Sequence, residues 1–221
     1  MTARTRPGLT RDLLVDAALR LLDEVGLERF TVRRLADELG VQSPALYWHV
    51  RTKRELLDAM ADRIIRNAGM GPPRAGESWA AWLRRRAHGY RDAVRSHRDG
   101  VTLVSGVTSL SAQTMTDLED ELEALVIAGF TPSEAFAAIA ALSQFTLGFL
   151  MQEQAERPLR SSDAVPLEPP SVPPTIAAAL RDGASSIGDG AFERGLDVII
   201  AGVEATRQQQ VGEPPKGTTR G

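Results

Sequence analysis

The chain has no cysteine, only three histidines and two tyrosines, and an aromatic content of 5%. Without cysteine there is no disulfide framework and no thiolate metal site, and the cytoplasm is the expected compartment. His88 and His97 stand in an acid-rich context that reads as surface rather than as a metal site. There is no Gly-rich phosphate loop and no nucleophile elbow, so an enzyme is the weak rival from another class. No apolar run approaches the roughly 18 residues of a membrane span. The opening stretch MTARTRPGLTRD lacks the apolar core of a secretory signal. Neither a metal nor a cofactor is expected.

Charge of one sign is also missing: 26 Lys and Arg stand against 29 Asp and Glu, for a net charge of −3. The distribution is uneven. Residues 1–54 carry 10 basic against 7 acidic side chains, and the remainder carries 16 against 22. A mildly basic end on an acidic body hints at a nucleic-acid contact at that end, although a solvated charged face looks similar. What is abundant is apolar residues at helical spacing. Hydrophobic residues make up 43% and charged residues 25% of 221 positions, enough for a small reading head and a larger α-helical body.

The stretch from Val41 to Val50 organises the rest. It reads as a short helix, with Ser43 as its cap and Pro44 in the first helical position, where a missing N–H costs nothing. Tyr47, Trp48 and His49 then follow in succession. Successive helical residues lie about 100° apart, so the three rings cannot all face one core. At least one must point outward, as on a helix that touches a partner.

Residues 1–9 read as a flexible basic arm. Thr10 caps a first helix with Leu13, Leu14, Ala17, Ala18, Leu21, Leu22 and Val25 on its inward stripe, and Gly26 closes it. Thr31 caps a second helix, with Val32, Leu35, Ala36 and Leu39 inward and Arg33, Arg34 and Asp37 outward. Gly40 ends it. Two short helices joined by a Gly-containing turn have the form of a helix-turn-helix, a pattern shared with plain αα-hairpins. Thr52 and Glu55 form a capping box for a longer helix with Leu56, Leu57, Met60, Ile64 and Ile65 inward. That helix fades at Gly69-Met70-Gly71-Pro72-Pro73.

Ser78 caps a helix running to about Ser96, with Trp79, Trp82, Leu83 and Tyr90 on its apolar side. The cluster Arg84-Arg85-Arg86 reads as a solvated face, with Arg86 the residue to watch. Residues 101–113 read as short helix and loop, and 114–128 as helix ended by Gly129. Thr131 and Glu134 form a second capping box. The helix after it, to about Gln154, is apolar on most sides and rich in small residues. Such a helix must be buried on most sides, and a second subunit is one way to bury it. Residues 156–174 read as loop, 175–183 as a short helix, and Ala191 to Gln208 as the last helix, with Phe192, Leu196, Ile199, Ile200 and Val203 on one stripe. Domain limits are expected at 1–68 and 69–211, with a disordered tail over 212–221.

These residues resemble the tetracycline repressor (TetR) family of bacterial transcription regulators. The likeness is carried by Leu21-Leu22-Asp23-Glu24-Val25-Gly26, Leu35-Ala36-Asp37-Glu38-Leu39-Gly40 and Pro44-Ala45-Leu46-Tyr47-Trp48-His49-Val50. In the body it is carried by Gly76-Glu77-Ser78-Trp79, Ser96-His97-Arg98-Asp99-Gly100, Gly129-Phe130-Thr131 and Phe145-Thr146-Leu147-Gly148. The intact LYWHV stretch with Lys53-Arg54 is similar to the tetracycline-repressor subgroup. The resemblance implies an all-α homodimer. Three N-terminal helices would read operator DNA, a fourth would link to the body, and the helix near 132–154 would pair with the last helix across the dimer.

The resemblance places Arg33 at a base-contacting position, and Pro44, Tyr47, Trp48, His49 and Lys53 at DNA-contacting ones. Tyr47, His49 and Lys53 would lie mainly on sugar and phosphate. Ser43 replaces a base-reading glutamine and Ala45 a threonine, so the operator sequence is expected to differ. The ligand site departs further. Val104 stands where the subgroup coordinates a drug-bound magnesium through histidine, Gln152 stands for a glutamate, and Gly69 and Arg86 stand for a drug-binding histidine and asparagine. Magnesium wants oxygen ligands, which Val104 cannot supply. The implied effector is therefore another small, mostly apolar molecule, with Arg86, Tyr90, Val104, Thr108 and Gln144 as wall candidates. The expectation is a ligand-responsive repressor that binds a palindromic operator and is released by its effector. A structural dimer that uses its helix-turn-helix to bind protein is the further alternative.

Overall fold

The computed structural model describes residues 9–161, 173–183 and 185–211. Among these, all regular structure is helical: α1 (Arg11–Val25), α2 (Val32–Leu39), α3 (Ser43–Leu46), α4 (Lys53–Asn67), α5 (Trp79–Arg95), α6 (Gly100–Ser105), α7 (Ala112–Ile127), α8 (Pro132–Ser161), α9 (Pro174–Arg181) and α10 (Asp189–Val211). A single 3₁₀ turn, Leu27–Arg29, lies between α1 and α2. The basic arm before Leu9 and the tail from 212 fall outside the described residues.

The chain divides into two compact units. One holds residues up to Gly71 together with His88–Asp120, and the other holds Pro72–Ala87 with residues from Glu121 onward. Helices α5 and α7 therefore each begin in one unit and end in the other.

In the first unit the caps form as the sequence reads. The hydroxyls of Thr10, Thr31 and Thr52 accept the N–H groups of Leu13 (3.2 Å), Arg34 (3.2 Å) and Glu55 (3.0 Å). Each satisfies an N–H that the helix leaves unpaired. The Glu55 carboxylate reaches back to the N–H of Arg51 at 2.8 Å, one residue before the cap itself. Leu14, Ala17, Ala18, Leu21 and Leu22 of α1, Leu35 and Ala36 of α2, Leu46 and Val50, and Leu56, Met60 and Ile64 of α4 are buried. Leu13 departs from its expected inward place and is 44% exposed, because it sits in the first turn at the edge of the stripe. Gly40 ends α2 in the left-handed region (φ 66°), where a side chain would be strained.

In the second unit, Ser78 caps α5 by accepting the N–H of Ala81 at 3.2 Å. The Thr131 and Glu134 box closes in both directions, with Thr131 N–H to Glu134 at 2.7 Å and Glu134 N–H to Thr131 at 3.3 Å. Phe145 and Phe192 stack with centroids 5.4 Å apart, and Phe149 meets Phe192 edge-on at 5.3 Å. This cluster joins α8 to α10. It lies flush on α10 because Gly195 has no side chain; a Cβ there would stand 2.3 Å from the Phe145 ring.

Three expectations need correction. Helix α8 continues past 154 to Ser161, so residues 156–161 are helix rather than loop. Its stretch Pro132–Ala155 is also long and apolar enough, by length and composition alone, to cross a membrane, which contradicts the reading that no run approaches that length. The Arg84-Arg85-Arg86 cluster is no solvated face. Arg84 pairs with Glu193 (2.9 Å) and Asp197 (2.5 Å), Arg85 grips Glu77 with two bonds of 2.8 Å, and Arg86 is buried against Glu121. Their partners lie up to 113 positions away in sequence, beyond the reach of local spacing.

Candidate nucleic-acid interface

Helices α2 and α3 are joined by Gly40, Val41 and Gln42, the short Gly-containing turn of a helix-turn-helix. The second helix is shorter than its sequence suggests. Gln42, not Ser43, occupies the cap position, and no side chain caps it; Ser43 is the first helical residue and Pro44 the second. The helix stops at Leu46, and Tyr47, Trp48 and His49 follow in turns. Bonds from Ala45 N–H to Gln42 (2.8 Å), Tyr47 N–H to Pro44 (3.2 Å) and His49 N–H to Leu46 (3.0 Å) keep three-residue spacing. That spacing winds the backbone at about three residues per turn, more tightly than an α-helix.

This tight backbone is pinned by Leu46 and Val50, which are fully buried, and so it throws the residues between them outward. Trp48 is 89% exposed and Tyr47 50%, while His49 is half-buried. An indole exposed to this degree, in a turn held by core residues, packs little against its own chain. Arg33, Pro44 and Lys53 are exposed as well, and Ser43 and Ala45 are half-buried. Lys53 stands at the start of α4, and its ammonium donates to the Phe30 carbonyl at 3.2 Å. These residues offer cations for phosphate and base edges and apolar surface for a groove.

Helix α4 is tied to the segment after α6 by a stripe that sequence reasoning missed. Arg54, Asp58 and Asp62 recur every fourth residue. Arg54 donates to Asp58 at 2.7 Å and to the Gly106 carbonyl. Asp58 accepts the Thr108 N–H (3.0 Å) and hydroxyl (2.7 Å), and Asp62 accepts the Ser111 N–H (2.8 Å) and the Thr114 hydroxyl (2.6 Å). Burial pushes the Asp58 carboxyl up, but the bonds from Arg54 and Thr108 outweigh it and hold the group below its usual range. A charged i, i+4 stripe ordinarily faces solvent, which is why the sequence hid it. The only signal was two acids on one helix face with apolar neighbours on both sides.

The five effector candidates fall in different places. Tyr90 and Val104 are buried in the first unit, and Thr108, also there, is exposed and held by Asp58. In the second unit Gln144 is exposed. Arg86 is buried, donating to Glu121 at 2.8 Å and to the Ser143 hydroxyl at 3.3 Å. The first unit also opens a cleft of about 720 Å³ along α1, α4 and residues 109–113, whose walls mix charged side chains such as Arg54, Asp58 and Arg63 with apolar ones such as Val15 and Leu110. Among the described residues no three His, Cys, Asp or Glu side chains gather to hold a metal.

Comparison with known proteins places this geometry in a family. Residues 14–60 match the model of bacterial regulatory proteins of the tetR family, and residues 72–207 match the tetracyclin repressor-like C-terminal domain. The tetracycline repressor protein class C of Escherichia coli is 37% identical over 203 residues, covering 90% of this chain and 92% of that protein. The class D protein of Escherichia coli is 39% identical over 198 residues, covering 89% of each. Among solved structures, apo ActR from Streptomyces coelicolor superposes with a TM-score of 0.77 at 27% identity, over 93% of this chain and all of that one. A TetR variant from Acinetobacter baumannii AYE in complex with minocycline gives 0.73 at 32% identity, over 96% and 100%. These relatives are regulators and not enzymes, and the chain belongs to the tetracycline repressor family of bacterial transcription regulators.

Proposed function

We propose that this protein is a homodimeric repressor that binds a palindromic operator through Arg33, Ser43, Pro44, Ala45, Tyr47, Trp48, His49 and Lys53, and is released by a small-molecule effector in the cytoplasm. The observation that carries the reading is the 89% exposed Trp48 in a turn whose flanking residues are core. Base-edge contacts from Arg33, Pro44 and Trp48 would set sequence, and Tyr47, His49 and Lys53 would set register on the backbone.

Dimerisation is supported by the outer faces of α8 and α10. Phe136, Ala137, Ala141, Gly148 and Met151 of α8 are exposed, as are Val198, Ala201, Gly202 and Ala205 of α10. Small residues in a row let helices approach closely, and an apolar face of this length is covered in a stable protein. Two copies would present two reading heads to half-sites spaced by about 34 Å or a multiple of it.

The effector in this proposal is something other than tetracycline with magnesium. Val104 is buried, and its side chain has no donor atom for a cation. Arg86 is a cation already engaged by Glu121. In this reading the effector acts from the body by shifting α4, which carries Lys53, and it works only through different affinities for two dimer states. The test is to recover genomic fragments bound by the purified protein and titrate the recovered duplex against a scrambled one, with and without tetracycline and magnesium. Preference for the recovered duplex, unchanged by the drug, supports the proposal. Equal binding to both duplexes contradicts the regulator reading, and release by the drug contradicts the effector reading.

A further inference from the structure

Asp62 does more than extend the polar stripe of α4. The groups it accepts, the Ser111 N–H and the Thr114 hydroxyl, open helix α7. Ser111 itself caps that helix, its hydroxyl accepting the Thr114 N–H at 3.2 Å. Thr114 is buried at 1% and Asp62 at 7% exposure, so this is an interior joint rather than a surface ion pair. A carboxylate at a helix start also meets the positive end of the helix dipole. Helix α4 thus holds α7 by its N-terminus.

Helix α7 runs unbroken from Ala112 to Ile127. Glu121 lies seven residues beyond Thr114, about 10 Å along the axis at a rise of about 1.5 Å per residue. Its carboxylate is fully buried and takes the Arg86 guanidinium of α5 at 2.8 Å, and Arg86 reaches Ser143 of α8. One helix therefore carries a buried polar joint to α4 near one end and a buried polar joint to the helices of the body further along. Neither joint involves α6.

We propose that α7 is a coupling rod: a change at the Arg86–Glu121 pair reaches α4, and through it the DNA-reading face, by way of the α7 start docked on Asp62. Asp62 is then a positioning residue for operator binding. The inference rests on the reading of α4 as the element that sets DNA affinity, and it adds a route that runs through α7.

A double-mutant cycle tests it, with the operator duplex recovered by the wild-type protein as probe. Glu121→Gln is measured alone and in an Asp62→Asn background by fluorescence anisotropy. Coupling predicts that Glu121→Gln shifts the operator Kd by about fivefold or more in the wild-type background and by less than about twofold once Asp62 is changed. Should Glu121→Gln fail to fold, Arg86→Leu with Glu121→Met removes the joint altogether without stranding a charge, and it is read in the same two backgrounds. Equal fold-changes in the two backgrounds, or no change in either, overturn the rod while leaving operator binding intact. A wild-type protein that does not prefer its recovered duplex overturns the regulator reading itself, and is recognised because no background binds.

Discussion

The Glu121 carboxylate, with no exposed surface, accepts a 2.8 Å hydrogen bond from Nε of Arg86. A buried pair contributes little net stability, since desolvating both charges offsets their attraction, but breaking it strands one charge in the interior. Glu121→Ala should therefore destabilise the protein by about 3–5 kcal/mol. Replacing both partners with apolar residues of similar volume should recover most of that loss. Urea denaturation of the two variants checks the pair of outcomes.

Trp48 should separate stability from function. Its side chain projects from the fold, so Trp48→Ala should change unfolding stability by no more than about 0.5 kcal/mol, the scale of an ordinary surface substitution. Operator affinity should fall by about tenfold or more, the scale of an aromatic anchor at an interface. Thermal melts and anisotropy titrations on one preparation read both numbers.

Gly89 sets how closely α5 can approach the end of α4. A Cβ at this position would stand 2.3 Å from the Ala68 carbonyl oxygen, a backbone atom that cannot swing aside. Gly89→Ala should cost about 1–3 kcal/mol, as overpacking does, and should raise hydrogen exchange at the last turn of α4. An unchanged exchange pattern would place the strain elsewhere.

Acid should loosen the start of the body at a defined place. Two bonds from Arg85 and one from the Arg74 N–H hold the Glu77 carboxyl at about 2, below its usual 4.5. A depressed carboxyl contributes stability that is fully present above its unfolded value and is lost as the pH falls through its folded value. The stability gap between wild type and Glu77→Gln should be open above about pH 4.5 and should close by about pH 2. Urea melts across that range give the comparison.

The helices were legible because each carries its own local signal. Thr10, Thr31, Thr52, Ser78 and Thr131 each cap the helix they precede, and apolar residues at i, i+3 and i+4 mark the inward faces. The outward aromatics were legible from the impossibility of burying three successive rings. Long-range pairing was not legible. Nothing local says that Arg84 will meet Glu193 and Asp197, or that Asp62 will turn inward to cap α7 rather than face water. The end of α8 was misjudged because its last turns are polar, and composition there reads as loop. Ser43 looked like a cap, but the turn tightens one residue earlier and makes Gln42 the boundary.

In the proposed function, the turn carrying Tyr47, Trp48 and His49 docks the protein on DNA. The most direct test is operator Kd measured from low to high salt for the wild type, Lys53→Ala and Trp48→Ala. If the face binds as described, wild-type affinity falls steeply with salt, since bound phosphates release counterions. Lys53→Ala should lower the slope of log K against log salt by about one, and Trp48→Ala should weaken binding at every salt concentration with the slope unchanged. A salt-independent affinity, or wild-type curves for both variants, would contradict the assignment of this face.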